Sequence, residues 1–429
     1  MTYSRTRTND KRRQRRGRRT RRLLAMNLAM LVCIVGAAAF IWLGQKDDGA
    51  SGSQAKTDPI VSGSPSAEAG ERPTEEASAP DKAEPSDATE DEDDVVNDGV
   101  PPGGGEEGQA DPGRDTVTIA LVGDILPAAR VLDYMNQYGF DYPFRETSRL
   151  LTAADITAGN LESSITKRGT PEQNKEYVYR GPQEALVPIK EAGFDFLSLA
   201  NNHTMDYGWE GLSDTMDALD EAGIRHAGSG NDDIEAFTPA YVEAGGKNVA
   251  FVGLTQVVPK VEWKADRKHP GLAEAYSFER AVAAVKEARG NADVVVVMVH
   301  WGKEREDMPV KQQQSLARAL IDAGADLVVG SHPHVLQGFE SYKGKWIAYS
   351  LGNFVFPGMS PPTTAETGIL TATCKTGGEC SLHFAPMIAK LAQPKPMDAE
   401  TGKALLARLS SISFAAAIEE DGTIVAIGP

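Results

Sequence analysis

Between residues 116 and 356 the chain repeats one local pattern: a short β-branched and aliphatic run, then an amphipathic stretch with helical spacing. The apolar runs are TVTIALVGD (116–124), ADITAGNLES (154–163), FDFLSLANN (194–202), NVAFVGLT (248–255), DVVVVMVHWG (293–302), ADLVVGS (325–331) and KWIAYSLGNFVF (345–356). Continuous runs of this length belong to strands buried on both faces. The stretches between them, PQEALVPIKEAG (182–193), GWEGLSDTMDALDEAG (208–223), FERAVAAVKEAR (278–289) and KQQQSLARALIDAG (311–324), have helical periodicity, and several end at Gly, as a helix C-terminus does. The alternation predicts an α/β core: a largely parallel sheet covered by helices. After residue 365 the pattern changes to a hairpin around two cysteines. Residues 399–429 hold one helix-like segment and a closing strand-like run, TIVAI (423–427).

The N-terminal quarter obeys other rules, and the net charge of -17 averages over unlike regions. Residues 1–22 are a basic tail, as in KRRQRRGRRTRR (11–22). They are followed by LLAMNLAMLVCIVGAAAFIWLG (23–44), which carries no charge. As a helix this segment would be about 33 Å long, enough for the hydrocarbon core of a bilayer. The expectation is a transmembrane signal anchor; the alternative is a signal peptide cleaved near Gly36–Ala39. Positive charge stays in the cytoplasm, which places the N-terminus inside, the bulk of the chain outside and the protein in the cell membrane by a single pass. The basic run then serves topology, and no nucleic-acid partner is expected. Residues 45–115 are rich in Asp, Glu, Gly, Ser and Pro and cannot bury enough apolar surface to fold. They read as a disordered acidic linker with a reach of roughly 45 Å. Cys374 and Cys380 flank KTGGE at a Gly-Gly turn between strand-like runs. In an oxidising exterior they are expected to pair across the hairpin, with two free thiols as the alternative. The folded part is expected over 116–390, with a C-terminal extension, 391–429, packing on it.

The chemistry is carried by position. Polar residues able to bind metals recur where an apolar run ends: Asp124, then Asn160 and Glu162, then Asn201, Asn202 and His203, then His300 with Glu304 shortly after, then His332 and His334 in SHPH, then Asn353. In open α/β sheets, ligands bind outside the carboxyl ends of the strands, where such loops converge. Four of the seven histidines occupy these places; His226, His269 and His383 do not. Imidazole mixed with carboxylate and amide oxygen suits Zn, Mn or Fe rather than Ca, and no thiolate lies nearby. A dinuclear divalent-metal centre is the expectation, able to activate water and clamp a phosphoryl oxygen. The alternatives are poorly supported. GDILPAAR (123–130) has too few glycines for a nucleotide fingerprint, and no GxSxG elbow or nucleophilic Cys is present.

The set GD (123–124), GNLE (159–162), LANNH (199–203), HWGKE (300–304), GSHPHV (330–335) and SLGNF (350–354) resembles the CapA, or PgsA, family of poly-γ-glutamate capsule synthesis and export. That family is similar in turn to calcineurin-like metallophosphoesterases. The resemblance implies a four-layer α/β/β/α sandwich in which Asp124 and His334 hold one metal, and Asn202, His300 and His332 the other. Glu162 would bridge the two and His203 would act as general acid. Two departures stand out. Leu126 occupies the place of the His in the phosphoesterase Asp-x-His pattern, and Glu162 that of a bridging Asp. The implied function is a membrane-anchored component of polymer synthesis and export. Its implied partners are membrane-embedded poly-γ-glutamate synthase subunits and an anionic polymer or phosphoester substrate. The other readings are an extracellular metal-dependent phosphoesterase and a non-catalytic envelope binding module.

Overall fold

A computed structural model describes residues 115–428. The basic tail, the apolar segment and the acidic linker up to residue 114 lie outside the described residues. The β-branched runs become strands because branched side chains pack well on a pleated surface. In chain order the strands are β1 (Thr116–Ile125), β2 (Ile156–Leu161), β3 (Phe194–Ser198), β4 (Arg225–Ala227), β5 (Ala240–Ala244), β6 (Lys247–Thr255), β7 (Val294–His300), β8 (Leu327–Ser331), β9 (Leu336–Tyr342), β10 (Lys345–Leu351), β11 (Asn353–Val355), β12 (Glu366–Lys375), β13 (Cys380–Lys390), β14 (Gln393–Pro396), β15 (Ala416–Ile418) and β16 (Thr423–Ala426). The longer helices are α1 (Ala129–Tyr138), α2 (Gly208–Glu221), α3 (Phe278–Asn291), α4 (Lys311–Ala323) and α5 (Ala399–Ser411).

These strands form two sheets. The ten-stranded sheet runs β15-β16-β13-β12-β1-β2-β3-β4, with β11 beside β1 and β14 beside β13. The six-stranded sheet runs β9-β10-β8-β7-β6-β5. The ten-stranded sheet is parallel from β1 out to its β4 edge and the six-stranded one is parallel at its centre, β6–β7–β8 and β10; helices cross over between these neighbours except from β8 to β10, which β9 joins. The ten-stranded sheet is antiparallel on its other side, from β1 through β12 and β13 to β15, and the six-stranded one at both edges, where hairpins replace crossovers. The single largely parallel sheet expected from the alternation is therefore two mixed sheets. Two boundaries also differ. The run 345–356 is split into β10 and β11 at Gly352, whose φ is +63°. The segment 391–429 adds strands to the ten-stranded sheet, since β14 and β16 both pair with β13.

Three apolar cores set the layer order. The central one joins the inner faces of the two sheets, with Phe196 of β3 stacked on Phe251 of β6 at 4.4 Å between ring centres. The valine run of β7 shows how one strand serves two cores. Val294, Val296 and Met298 face the central core, while Val295, Val297 and Val299 face α3 and α4. β1 does the same: Val117, Ile119 and Leu121 point inward, and Ala120 and Val122 meet the outer core with α1 and α2. The result is helix, sheet, sheet, helix, a mixed α/β fold. Cys374 and Cys380, paired across the β12–β13 hairpin, form a disulfide with a Cα–Cα distance of 4.0 Å.

Candidate metal centre

The parallel registers bring the polar strand ends into two facing rows. Asp124 pairs with Asn160 on one side and Asn353 on the other, so β1, β2 and β11 end level. In the other sheet His300 pairs with Ser331, one residue before the SHPH loop continues into His332. The close approach of β1 to the 352 turn requires a bare backbone. A Cβ at Gly123 would lie 1.9 Å from the Gly352 carbonyl oxygen. With glycine there, the Asp124 N–H donates to that oxygen at 2.9 Å.

Asp124, Glu162, His203, His300, His332 and His334 are all buried and lie in one pocket. Its centre is Glu162. Oε1 stands 3.8 Å from His300 Nε2, 3.9 Å from His334 Nε2 and 4.0 Å from His203 Nε2. Those distances are too long for hydrogen bonds. Neither Glu162 oxygen has a hydrogen-bond partner among the described residues, and neither has His332 Nδ1. Such buried atoms cost stability unless something charged or protic meets them. Asn202 Oδ1 lies 2.8 Å from His300 Nε2. Two atoms each about 2.1 Å from one cation stand roughly 3 Å apart, so this pair suits a shared metal. Two triads have ligand atoms within 4.8 Å of one another: Asp124, Glu162 and His300 in the interior, and Glu304, His332 and His334 toward the surface.

The electrostatics agree with a site built for positive charge. Burial, reinforced by the Asp124 carboxylate, pushes Glu162 well above the usual carboxylate range. Burial also raises Asp124. Burial holds His300 far below the ordinary imidazole range and brings His332 down to about 3, so both are neutral bases at neutral pH. Neutral imidazoles and crowded carboxylates form the donor set that a divalent cation satisfies.

The remaining expected residues surround this pocket in supporting places. Asn160 donates to Asp124 at 2.8 Å and lies 3.4 Å from His300 Nδ1. Asn201 donates to Asn160 and to the Leu161 carbonyl, and its Oδ1 accepts from the backbone N–H groups of His203 and Thr204. Asn353 Oδ1 meets His334 Nδ1 at 2.8 Å, which leaves His334 Nε2 facing Glu162. His332 and His334 sit at φ of +94° and +58°, in the left-handed region that non-glycine residues seldom adopt. Leu126 is fully buried against Ala128 and Phe356, in the apolar wall beside the pocket. Sequence reading missed four neighbours. Ser331 Oγ lies 2.8 Å from His300 Nδ1. Asp206 meets His203 Nδ1 at 2.7 Å, and Lys175 reaches the same nitrogen at 2.9 Å. Tyr179 packs against His203 at a tilt, with ring centres 4.4 Å apart. Asp206 could have been found as an acid three residues after His203; Lys175 comes from a long loop with no such signal.

Fold and pocket together define a mixed α/β domain with a buried carboxylate–imidazole centre at its strand ends. The chain belongs to the family described as bacterial capsule synthesis protein PGA_cap, whose model matches residues 118–358. It is 35% identical over 295 residues to the capsule biosynthesis protein CapA of Bacillus anthracis, covering 68% of this chain and 72% of that one. It is 33% identical over 314 residues to the PGA biosynthesis protein CapA of Bacillus subtilis, covering 72% and 82%. Among solved structures it aligns with the sulfate thiohydrolase SoxB of Thermus thermophilus at 13% identity and a TM-score of 0.36, over 68% of this chain and 60% of that one.

Proposed function

We propose that this chain is a membrane-anchored component of poly-γ-glutamate synthesis and export, and that its pocket is a dinuclear divalent-metal centre of the metallophosphoesterase type. The observation that carries the reading is that every pocket residue, from Asp124 to Asn353, falls inside the segment 118–358 shared with the capsule synthesis family. The uncharged run 23–44, with its basic flank, supports an anchor with the folded domain outside the cell. Membrane-embedded synthase subunits and the anionic polymer are the partners this placement implies.

Asp124, Glu162, Asn202, His300, His332 and His334 would hold the metal, which when bound supplies Lewis-acid polarisation and an activated water. His203 would serve as the proton donor, although burial holds it below the ordinary imidazole range. Its Nδ1 faces Asp206, which Lys175 also pairs with, so Nε2 is the nitrogen that faces Glu162. That arrangement favours one second reading, metal-dependent hydrolysis of a phosphoester outside the cell. Hydrolysis of a chromogenic phosphate monoester, stimulated by added Mn2+ and lost in His203→Ala, would support it; none above the blank would dispose of it.

The main reading is tested by replacing the chromosomal gene with a His300→Ala/His332→Ala version and measuring polymer. Loss of polymer with normal levels of the folded chain is the expected result. Undiminished polymer would leave the pocket without a part in synthesis, and undiminished polymer after deletion of the gene would remove the capsule role itself.

A further inference from the structure

Asp124, Glu162 and His300 form one ligand triad in the interior, while His332 and His334 also face outward to a second one. Leu126 is sealed into an apolar cluster with Ala128 and Phe356. The structure offers a different residue. Glu304 follows β7 in an exposed turn, and its carboxylate lies within 4.8 Å of ligand atoms of both His332 and His334.

This proximity is built into the backbone. The Arg305 N–H donates to the Pro333 carbonyl at 2.8 Å, which fastens the turn to the middle of SHPH. Gln337 Nε2 donates to the Glu306 carbonyl at 2.8 Å, which secures its far side. Arg305 takes a φ of +63° to make the turn. Within the triad His332 is only 6% exposed, and its Nδ1 has no hydrogen-bond partner among the described residues. An unpartnered imidazole nitrogen, a second imidazole and a tethered carboxylate form a mixed donor set suited to Mn, Fe or Zn.

We propose that Glu304 is a metal ligand, and that with His332 and His334 it forms a rim subsite at the mouth of the pocket. The inference rests on reading the pocket as a metal centre. It adds that the two cations are held unequally: one is enclosed, and the other is gripped by an exposed side chain and exchanges more readily.

The test is calorimetric titration of the full-length chain, purified in detergent and stripped with chelator, with Mn2+. The wild type is expected to take up the ion in two steps. Glu304→Gln should weaken the second step roughly tenfold or more and spare the first, as loss of a group ordering a metal site does. Glu306→Gln, an exposed acid two residues away that pairs with Lys303 at 2.5 Å, should behave as wild type. Melting of the metal-free variants in chelator, expected to match wild type, shows that the fold is intact. Two steps preserved in Glu304→Gln would overturn the inference and leave the metal centre standing. A wild type that takes up no Mn2+, Zn2+ or Fe2+ would overturn the metal centre itself.

Discussion

Glu162 carries most of the tension in the structure. A carboxylate fully buried with no donor is unfavourable by about 1–3 kcal/mol relative to a satisfied group. Glu162→Gln keeps the shape and removes the ionisable group, and is expected to leave the metal-free chain no less stable in chemical denaturation, while abolishing any rise in melting temperature on adding Mn2+. A metal-free variant less stable than wild type would show that the carboxylate is structurally satisfied. Asp214 shows ordinary electrostatics by contrast. Its bond to Arg168 holds its pKa below the usual Asp value. Because the folded pKa lies below the unfolded one, the stabilisation is complete above about pH 4 and fades as the pH falls through the folded value. Asp214→Asn should flatten the acid limb of the stability profile slightly, since Arg168 is well exposed; an unchanged acid limb would mean the pair contributes nothing. At this scale the sequence was readable where chemistry coincides with a strand end, as at Asp124, His300 and His334. It was opaque for Ser331 and Lys175, because a hydroxyl or an ammonium looks the same in a sequence whether it faces solvent or braces a histidine.

Among the elements, the apolar runs were legible because strands buried on both faces leave no room for polar interruptions. The split at Gly352 was not, since a glycine inside a strand-like run does not announce a positive φ. Nor was the partition into two sheets: β1 and β7 have the same pattern, and only tertiary pairing decides that they belong to different layers. The Gly123–Gly352 contact is the element-level device that levels Asp124 with Asn353. Gly123→Ala, whose methyl would overlap the 352 carbonyl, is expected to destabilise by about 3 kcal/mol or more in denaturant unfolding; a cost below about 1 kcal/mol would mean the two segments separate easily. The Cys374–Cys380 bridge closes a loop with a sequence separation of 6. Its removal by double Ser substitution should cost about 2 kcal/mol, and equal unfolding midpoints with and without reductant would contradict this.

For the molecule as a whole, the composition separates a polyanionic approach from a folded domain. On the proposed function, the acidic segment 45–115 would repel a polyglutamate product rather than hold it, over roughly 10 Å at physiological salt and further at low salt. Replacing its acids by Ser and Gly is expected to increase polymer retained at the cell surface at low ionic strength, and no change would remove the linker from the account. The layered fold was legible only in part. Alternation gave α/β, and the resemblance to the capsule family supplied the four layers that periodicity alone could not. Side chains from separate strands of two sheets meet around Glu162, where the proposed cation would sit. An anomalous-difference map from crystals of the chain soaked in Mn2+ tests it most directly. The account predicts a peak about 2.0–2.3 Å from a Glu162 carboxylate oxygen, within reach of His300 and His334. Density confined to surface carboxylates, with none at Glu162, would contradict it.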